Sequence, residues 1–188
     1  MSFKITLEEN IELKKKLIRV ESEVIKAIQL ITKTLKKKGK ILICGNGGSA
    51  ADAQHLTAEF LIRLKPESNR KPYPILSLAM DTSTLTACGN DLGFDKIFSR
   101  NLEALGKKND LLIIISTSGN SKNIIEVLKM AKKKRIKSLG LLGSGGGFAK
   151  KYTDLKIIVP SKTTARIQEA HIFLGHYIFE QVENNLKK

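Results

Sequence analysis

The stretch LLIIISTSGNS, residues 111–121, passes from an unbroken apolar run into small hydroxyl side chains and a glycine. An apolar run without polar alternation is typical of a parallel strand that is covered on both faces. A helical pattern begins directly afterwards with Asn123, Ile124 and Val127. The stretch therefore predicts a strand, a loop and a helix, as in an α/β protein.

The loop of this unit, residues 116–121, has the composition of an anion-binding site. Backbone N–H groups at the start of a helix lack partners, and the helix dipole favours negative charge there. The loop lacks the spacing and the lysine of a P-loop for nucleoside triphosphates. It therefore predicts a small phosphorylated ligand. A Ser/Thr-rich turn with a good helix cap stays open as the alternative.

The alternation of strand and helix extends over most of the chain. Thr6 and Glu9 have the spacing of a capping box, which predicts the start of a long amphipathic helix. Such a helix has more apolar surface than one small sheet can cover, so we expect it to pack against another subunit. The segment between residues 65 and 74 is predicted to be a mobile surface loop. Strands are predicted at residues 40–44, 74–79, 111–116, 137–142 and 156–159, with helices at 49–64, 94–105, 123–134 and 164–185. In such a doubly wound parallel sheet, ligands bind beyond the carboxyl ends of the strands.

Composition narrows the class of protein. With 188 residues the chain fits one domain, and no apolar run approaches the roughly 20 residues of a membrane helix. Cys44 and Cys88 lie in apolar surroundings, which favours a reducing cytoplasm over a disulfide framework. The net charge of +15 comes from short lysine clusters without interleaved aromatic residues. We therefore expect a solvated surface that attracts anionic substrates rather than a nucleic-acid groove.

A glycine-rich loop, GNGGSA at residues 45–50, follows the first predicted strand and matches the G-x-G-x-x-A pattern of dinucleotide-binding folds. No acidic residue ends a second strand about 20 residues later, as that fold requires, and Asp81 comes much later. A single dinucleotide would also not need the second loop at 116–121. The glycines are better explained as allowing Asn46 and backbone N–H groups to approach a polar ligand closely.

The three histidines lie on two predicted helices. His55 and Glu59 are four residues apart and share one helix face, either as an ordinary surface pair or as a base and a metal ligand. His171 and His176 lie on the last helix, whose apolar packing does not need two histidines. Their concentration on two helices favours a functional site over core packing.

Five segments together resemble the sugar isomerase (SIS) domain, and specifically the phosphoheptose isomerases: CGNGGSAADAQHLTAEF, GNDLGF, FSRNLEALG, ISTSGNS and ARIQEAHIFLGH. The resemblance implies a single three-layer α/β domain with a five-stranded, doubly wound parallel sheet of flavodoxin-like order. Residues 1–38 would form an N-terminal oligomerisation helix and residues 39–188 the α/β core. It further implies a cytoplasmic homotetramer with active sites at subunit junctions. Its reaction would be the interconversion of sedoheptulose 7-phosphate and glycero-manno-heptose 7-phosphate, toward activated heptose for lipopolysaccharide or capsule.

The resemblance also implies residue roles. Glu59 and His176 would be the acid–base pair, and zinc ligands in members that bind zinc would be His55, Glu59, Gln168 and His176. Substrate would be held by Asn46, Gly47, Gly48, Glu59, Arg63, Asn90, Asp91, Ser116, Thr117, Ser118, Ser121 and Gln168. Because Gln168 and His176 are about 12 Å apart along one helix, we hypothesise that one of them acts across a subunit boundary. Some relatives carry aspartate where this chain has Ala165, so a polar contact there is absent or supplied by another residue.

Two other SIS proteins are alternatives. A non-catalytic tetramer that binds the bacterial replication initiator shares the loops but tends to lack the equivalents of Glu59 and His176. A sugar-phosphate-sensing regulator would carry a DNA-binding helix-turn-helix before the SIS domain, for which a single N-terminal helix leaves no room. The presence of both residues favours the enzyme.

Overall fold

A five-stranded parallel sheet forms the centre of the computed structural model, which describes residues 2–67 and 69–187. Its strands run in the order β2-β1-β3-β4-β5 and every neighbouring pair is parallel. The strands are β1 (Ile41–Gly45), β2 (Ile75–Ser77), β3 (Leu111–Ser116), β4 (Lys137–Leu142) and β5 (Leu155–Ile158). The predicted sheet and its flavodoxin-like order are confirmed, with strand ends shifted by one or two residues.

Helices cover both faces of this sheet. They are α1 (Phe3–Lys16), α2 (Glu21–Lys36), α3 (Gly48–Leu61), α4 (Thr82–Asp91), α5 (Ile97–Leu105), α6 (Lys122–Lys133) and α7 (Thr164–Lys187). Alternate strand residues point to opposite layers. Ile41 and Ile43 pack with α1, α2, α3 and α7, whereas Leu42 and Cys44 pack with α4, α5 and α6. This alternation produces the predicted three-layer, doubly wound architecture.

The N-terminal helix begins earlier than predicted. The hydroxyl of Ser2 accepts a hydrogen bond from the backbone N–H of Ile5 at 3.4 Å, and the helix starts at Phe3. Thr6 lies inside the first turns, where its hydroxyl donates to the Ser2 carbonyl. The predicted capping box at Thr6 and Glu9 is therefore wrong, because an earlier serine supplies the cap. A 3₁₀ turn at Leu17–Val20 separates α1 from α2.

Two further segments differ from the prediction. Helix α4 was missed because its sequence, TSTLTACGND, is rich in residues of low helix propensity. Its start is marked by Asp81, whose carboxylate accepts a hydrogen bond from the N–H of Ser83 at 3.0 Å. The segment predicted as a mobile loop places the Arg70 side chain, only 5% exposed, against α3 and α7.

No helix in the described ranges has both the length and the hydrophobicity of a membrane span.

Candidate active site

The loops after β1 and β3 meet where the strand order reverses. These two strands are neighbours in the sheet although β2 comes between them in the chain, and such a switch point is the usual ligand site of open α/β sheets. Asn46 in the glycine loop and the buried Asn123 in α6 join the two loops. Each side-chain amide donates to the other's carbonyl oxygen, at 2.9 and 2.8 Å. Asn46 therefore fixes the glycine loop in place, and its predicted contact with the sugar stays a prediction.

The serine loop, residues 116–121, is shaped by its own hydroxyl groups. The Ser116 hydroxyl accepts from the N–H of Gly119 at 3.0 Å, and the Ser118 hydroxyl accepts from the N–H of Asn120 at 3.1 Å. Gly119 has a positive φ of 66°, which glycine adopts without steric cost. Ser121 is the N-cap residue of α6 but its side chain makes no capping bond. Its hydroxyl and the first N–H groups of α6 are thus suited to an anion.

A neighbouring glycine-rich turn holds the serine loop from behind. The Ala149 N–H donates to the Gly119 carbonyl at 2.8 Å, and the Phe148 N–H donates to the Asn120 side-chain oxygen at 3.0 Å. A β-carbon on Gly119 would lie 2.1 Å from the Gly146 carbonyl oxygen. The two backbones therefore pack in direct contact, and the serine loop is a rigid cradle rather than a free turn.

Helices α3 and α7 bring three of the predicted metal ligands together. The Nε2 atoms of His55 and His176 are 2.8 Å apart, and His55 Nε2 is 3.5 Å from Glu59 Oε1. One ligand atom from each of these residues lies within 4.8 Å of the others. His55 and Glu59 are one turn apart on α3, whereas His176 is 121 residues from His55 in sequence. The predicted acid–base pair therefore converges within a single chain.

The environment favours the uncharged form of His176. Burial lowers the pKa of its imidazole and the neighbouring His55 lowers the pKa further, while the Glu59 carboxylate opposes both effects. A neutral imidazole can offer a lone pair to a cation or donate its ring N–H to an oxygen. Both are abilities that the predicted roles of His176 require.

His171 does not join this cluster. It lies on α7 with 0% exposure. Burial lowers its pKa to about 4, partly opposed by a hydrogen bond with the backbone of Leu142. The prediction that both histidines of the last helix belong to a functional site is therefore wrong for His171, which is a core residue outside the cluster.

The remaining predicted residues lie outside the histidine cluster. Gln168 lies against the first turn of α3, where a β-carbon on Gly48 would be 2.4 Å from its Nε2. Arg63 is exposed and donates to the Pro66 carbonyl at 3.0 Å. Asn90 and Asp91 are exposed in the last turn of α4 and bond to each other at 2.8 Å. Their contacts with a sugar stay predictions, as does the hypothesis that Gln168 or His176 acts across a subunit boundary.

The cluster has the donor set of a catalytic metal site. Two imidazoles and one carboxylate are a known three-ligand set for zinc, which leaves a position open for substrate. Their mutual proximity, and the neutral state favoured for His176, fit such an ion. The residues present are thus compatible with the predicted zinc.

Comparison with known proteins identifies the family. The model of the SIS domain matches residues 8–143, which is most of the chain. The chain belongs to the SIS domain family. Among curated members of this family, the phosphoheptose isomerase of Campylobacter concisus is 55% identical over 157 residues, which cover 84% of this chain and 82% of the relative. That of Chlorobaculum parvum is 50% identical and covers 92% and 83% of the two chains.

Solved structures of this SIS domain type have the same architecture. A phosphoheptose isomerase from Neisseria gonorrhoeae superposes with a TM-score of 0.90 at 40% identity, over 96% of both chains. One from Francisella tularensis gives a TM-score of 0.92 at 33% identity, also over 96% of both. The fold predicted from the motifs is therefore that of solved phosphoheptose isomerases.

Two residues of the site region were missed by the sequence argument. Asn123 looked like the first residue of an amphipathic helix, and only its pairing with Asn46 shows its role. Arg70 lies in a polar segment without periodicity, so its burial had no signal in the sequence.

Proposed function

We propose that this protein interconverts sedoheptulose 7-phosphate and D-glycero-D-manno-heptose 7-phosphate. The observation that carries the proposal is the convergence of Glu59 and His176 beside the switch point of the sheet. Relatives named phosphoheptose isomerase, about half identical over most of the chain, support the same reaction. Such an enzyme would supply the first intermediate of activated heptose, for lipopolysaccharide or capsule.

The phosphate of the substrate would bind at the serine loop. Its negative charge is stabilised by the N–H groups and the positive dipole end of α6, together with the hydroxyl groups of Thr117, Ser118 and Ser121. Ser116 is buried and already accepts from Gly119, so its contribution is to shape the loop. Binding the phosphate fixes one end of a flexible sugar, which orients the reacting carbons toward α3 and α7.

The reaction moves one proton between two adjacent carbons. Glu59 would remove a proton from C1 of the ketose while His176 donates a proton to the C2 oxygen, giving an enediol. Return of a proton to C2, with loss of the proton on the C1 oxygen, gives the aldose. Each group contributes typically ~100- to 10,000-fold to such a rate. The short distance between the two helices lets one carboxylate and one imidazole act on the same pair of carbons.

Zinc would be held by His55, Glu59 and His176, with Gln168 as the fourth predicted ligand. When bound, a zinc ion polarises a carbonyl oxygen and so makes the adjacent C–H more acidic. A carboxylate that binds zinc firmly is a weaker base, so the two roles of Glu59 compete. We assign proton transfer to Glu59 as its main role and zinc binding as its secondary role. Metal analysis of the purified protein, compared with His55→Ala, tests this assignment. The wild type is expected to retain about one zinc per chain and the variant much less.

Assembly into a homotetramer is proposed from the apolar surface of the N-terminal helices. Phe3 is 83% exposed and Ile18 is 68% exposed, and both lie in the segment predicted to pack against another subunit. Large exposed apolar patches are typical of a subunit interface. Ile5, Leu7, Ile11 and Ile25 are further exposed apolar residues of the same segment. Light scattering of the purified protein is expected to give four times the chain mass.

Two further expectations complete the proposal. The cytoplasm is the proposed compartment, because both cysteines are buried free thiols. The non-catalytic alternative, a partner of the replication initiator, has no support here, since the similar proteins described above are isomerases and both proton-transfer residues are present.

Incubation with sedoheptulose 7-phosphate tests the function directly. Aldose formation is followed by NMR, with and without a chelator, on the wild type and Glu59→Gln. We expect turnover by the wild type and loss of turnover in the variant. Absence of turnover by the metal-replete wild type would contradict the proposal, and loss of turnover on chelation alone would favour the zinc assignment.

A further inference from the structure

A buried ion pair joins the loop after α3 to the last helix. Arg70 Nε lies 2.8 Å from Glu183 Oε2, and their side chains are 5% and 3% exposed. The guanidinium also lies over the ring of Tyr73, 4.4 Å from its centroid. Burial of two charges costs free energy that their attraction does not always return, so such a pair is weak evidence for stability alone. A role other than stability is therefore sought in the other hydrogen bonds of Arg70.

The remaining N–H groups of Arg70 bind the end of α3. Nη2 donates to the carbonyl of Glu59 at 3.0 Å, and Nη1 donates to the carbonyl of Phe60 at 3.1 Å. Carbonyls in the last turn of a helix have no partner within the helix and carry its negative dipole end. A planar guanidinium supplies both the hydrogen bonds and the opposite charge. One of the two carbonyls belongs to the proposed base itself.

Glu183 lies on the same face of α7 as His176. The two are seven residues apart, which is close to two helical turns. Between them Phe179 stacks on Phe60 with ring centroids 4.3 Å apart. One turn before Glu59, Leu56 fills the space that a β-carbon on Gly175 would occupy, at 2.6 Å. The two helices thus touch closely beside the histidines, and Arg70 joins them one step further along.

We propose that Arg70 is a positioning residue, which with Glu183 holds α3 and α7 in the register where Glu59 and His176 meet. This inference rests on the proposed isomerase chemistry. Arg70 binds α3 at the backbone of Glu59 and binds α7 two turns beyond His176. Sliding or rotation of either helix would break these bonds. The Arg70–Glu183 pair, called the clamp below, therefore fixes α3 and α7 relative to each other. This keeps the Glu59 carboxylate close to the His176 imidazole.

The chain offers a matched control for this clamp. Lys65 comes from the same loop and pairs with Glu180 on the same helix, with Nζ and Oε1 2.5 Å apart. Its side chain is 41% exposed, so the pair crosses between the same two elements at the surface. Lys65→Met removes a loop-to-α7 ion pair without touching the end of α3. We expect this variant to keep the kcat and KM of the wild type.

The test compares Arg70→Lys, Glu183→Gln and the double variant Arg70→Met/Glu183→Leu with Lys65→Met. The double variant replaces a buried ion pair with apolar groups, a change that is often neutral or stabilising. We expect kcat to fall about 10- to 100-fold in the double variant, with KM within about twofold, since the serine loop still holds the phosphate. Glu183→Gln, which keeps the side-chain volume, should lose less. An unchanged kcat in every folded variant would overturn the proposal.

A second measurement does not depend on turnover. The imidazole rings of His55 and His176 have centroids 5.0 Å apart, close enough for ring-proton NOEs in histidine-labelled, metal-free protein. These NOEs should weaken in Arg70→Lys and Glu183→Gln and persist in Lys65→Met. Persistence in all three would contradict the clamp, even if the wild type had no isomerase activity. Turnover by the wild type decides the proposed function separately, and Glu183→Gln decides the clamp if the double variant does not fold.

Discussion

The serine loop and the histidine cluster form the two halves of the candidate site in opposite ways. The serine loop is one continuous segment whose hydroxyl groups bond to N–H groups two or three residues away. The cluster joins two side chains of α3 to one of α7 that is 121 residues distant from His55. The serine loop keeps its shape through its own bonds and those from Phe148 and Ala149, whereas the cluster exists only while two helices stay packed. The phosphate cradle should therefore tolerate changes that disable proton transfer.

Removal of the proton-transfer groups should have the largest effect. Glu59→Gln and His176→Gln keep side-chain size but cannot exchange a proton in the same way, so kcat should fall ~100- to 10,000-fold for each. Binding of phosphate-bearing substrate should change little, because the serine loop is intact. Glu180→Gln, at a half-buried glutamate on α7 that pairs with Lys65 outside the cluster, serves as the control. Turnover of either variant near the wild-type rate would remove the role assigned to that residue.

Low pH should reduce the free energy of unfolding through His171, which lies on the same helix as His176. Its pKa is about 4 in the folded protein and 6.5 in the reference state. The unfolded chain therefore binds a proton that the folded chain does not, and stability is lost as pH falls from about 6.5 toward 4. The pKa difference corresponds to about 3 kcal/mol. Urea unfolding at pH 7.5 and 5 should show a smaller loss of stability in His171→Leu than in the wild type. Equal losses would contradict this account.

Loss of the bonds between Asn46 and Asn123 tests whether phosphate binding at the serine loop depends on the glycine loop. Asn123→Ala removes a buried amide and leaves the half-buried Asn46 amide without its partner, which costs about 1–3 kcal/mol of unfolding free energy. Thermal unfolding measures the loss, and Asn109→Ala removes an exposed amide as the control. A rise in KM together with the lost stability would show that the glycine loop supports phosphate binding.

The smallest expected effect on kinetics comes from a substitution in the serine loop. Ser118→Ala removes one hydroxyl contact to a phosphate that is bound in both ground and transition states. KM should rise about tenfold while kcat stays near that of the wild type. Steady-state kinetics with sedoheptulose 7-phosphate measure both. A fall in kcat with unchanged KM would place Ser118 at the reacting carbons rather than at the phosphate.

The elements that sequence predicted well are those whose signals are short-range. The segments Leu111–Ser116 and Lys137–Leu142 form strands with the predicted ends, because each carries a run of apolar residues that is buried on both faces. Helix α4 was missed because threonine and serine dominate it, and the N-terminal cap moved from Thr6 to Ser2 because both offer a hydroxyl. The residue pattern did not separate His171 from His176, since one is core and the other site on the same helix, and only the resemblance to the SIS domain assigned a role to His176.

Sequence by itself determined the alternation of strands and helices apart from α4, the anion-binding chemistry of the serine loop and the presence of a carboxylate and imidazoles for proton transfer. Each of these depends on neighbours within a few residues, whose spacing sets local hydrogen bonds and burial. Tertiary structure decided that Glu59 and His176 meet within one chain, that Asn46 joins the loops, and that Arg70 is buried between α3 and α7. These depend on packing between segments far apart in the chain, where close contact is set by how whole helices fit on the sheet.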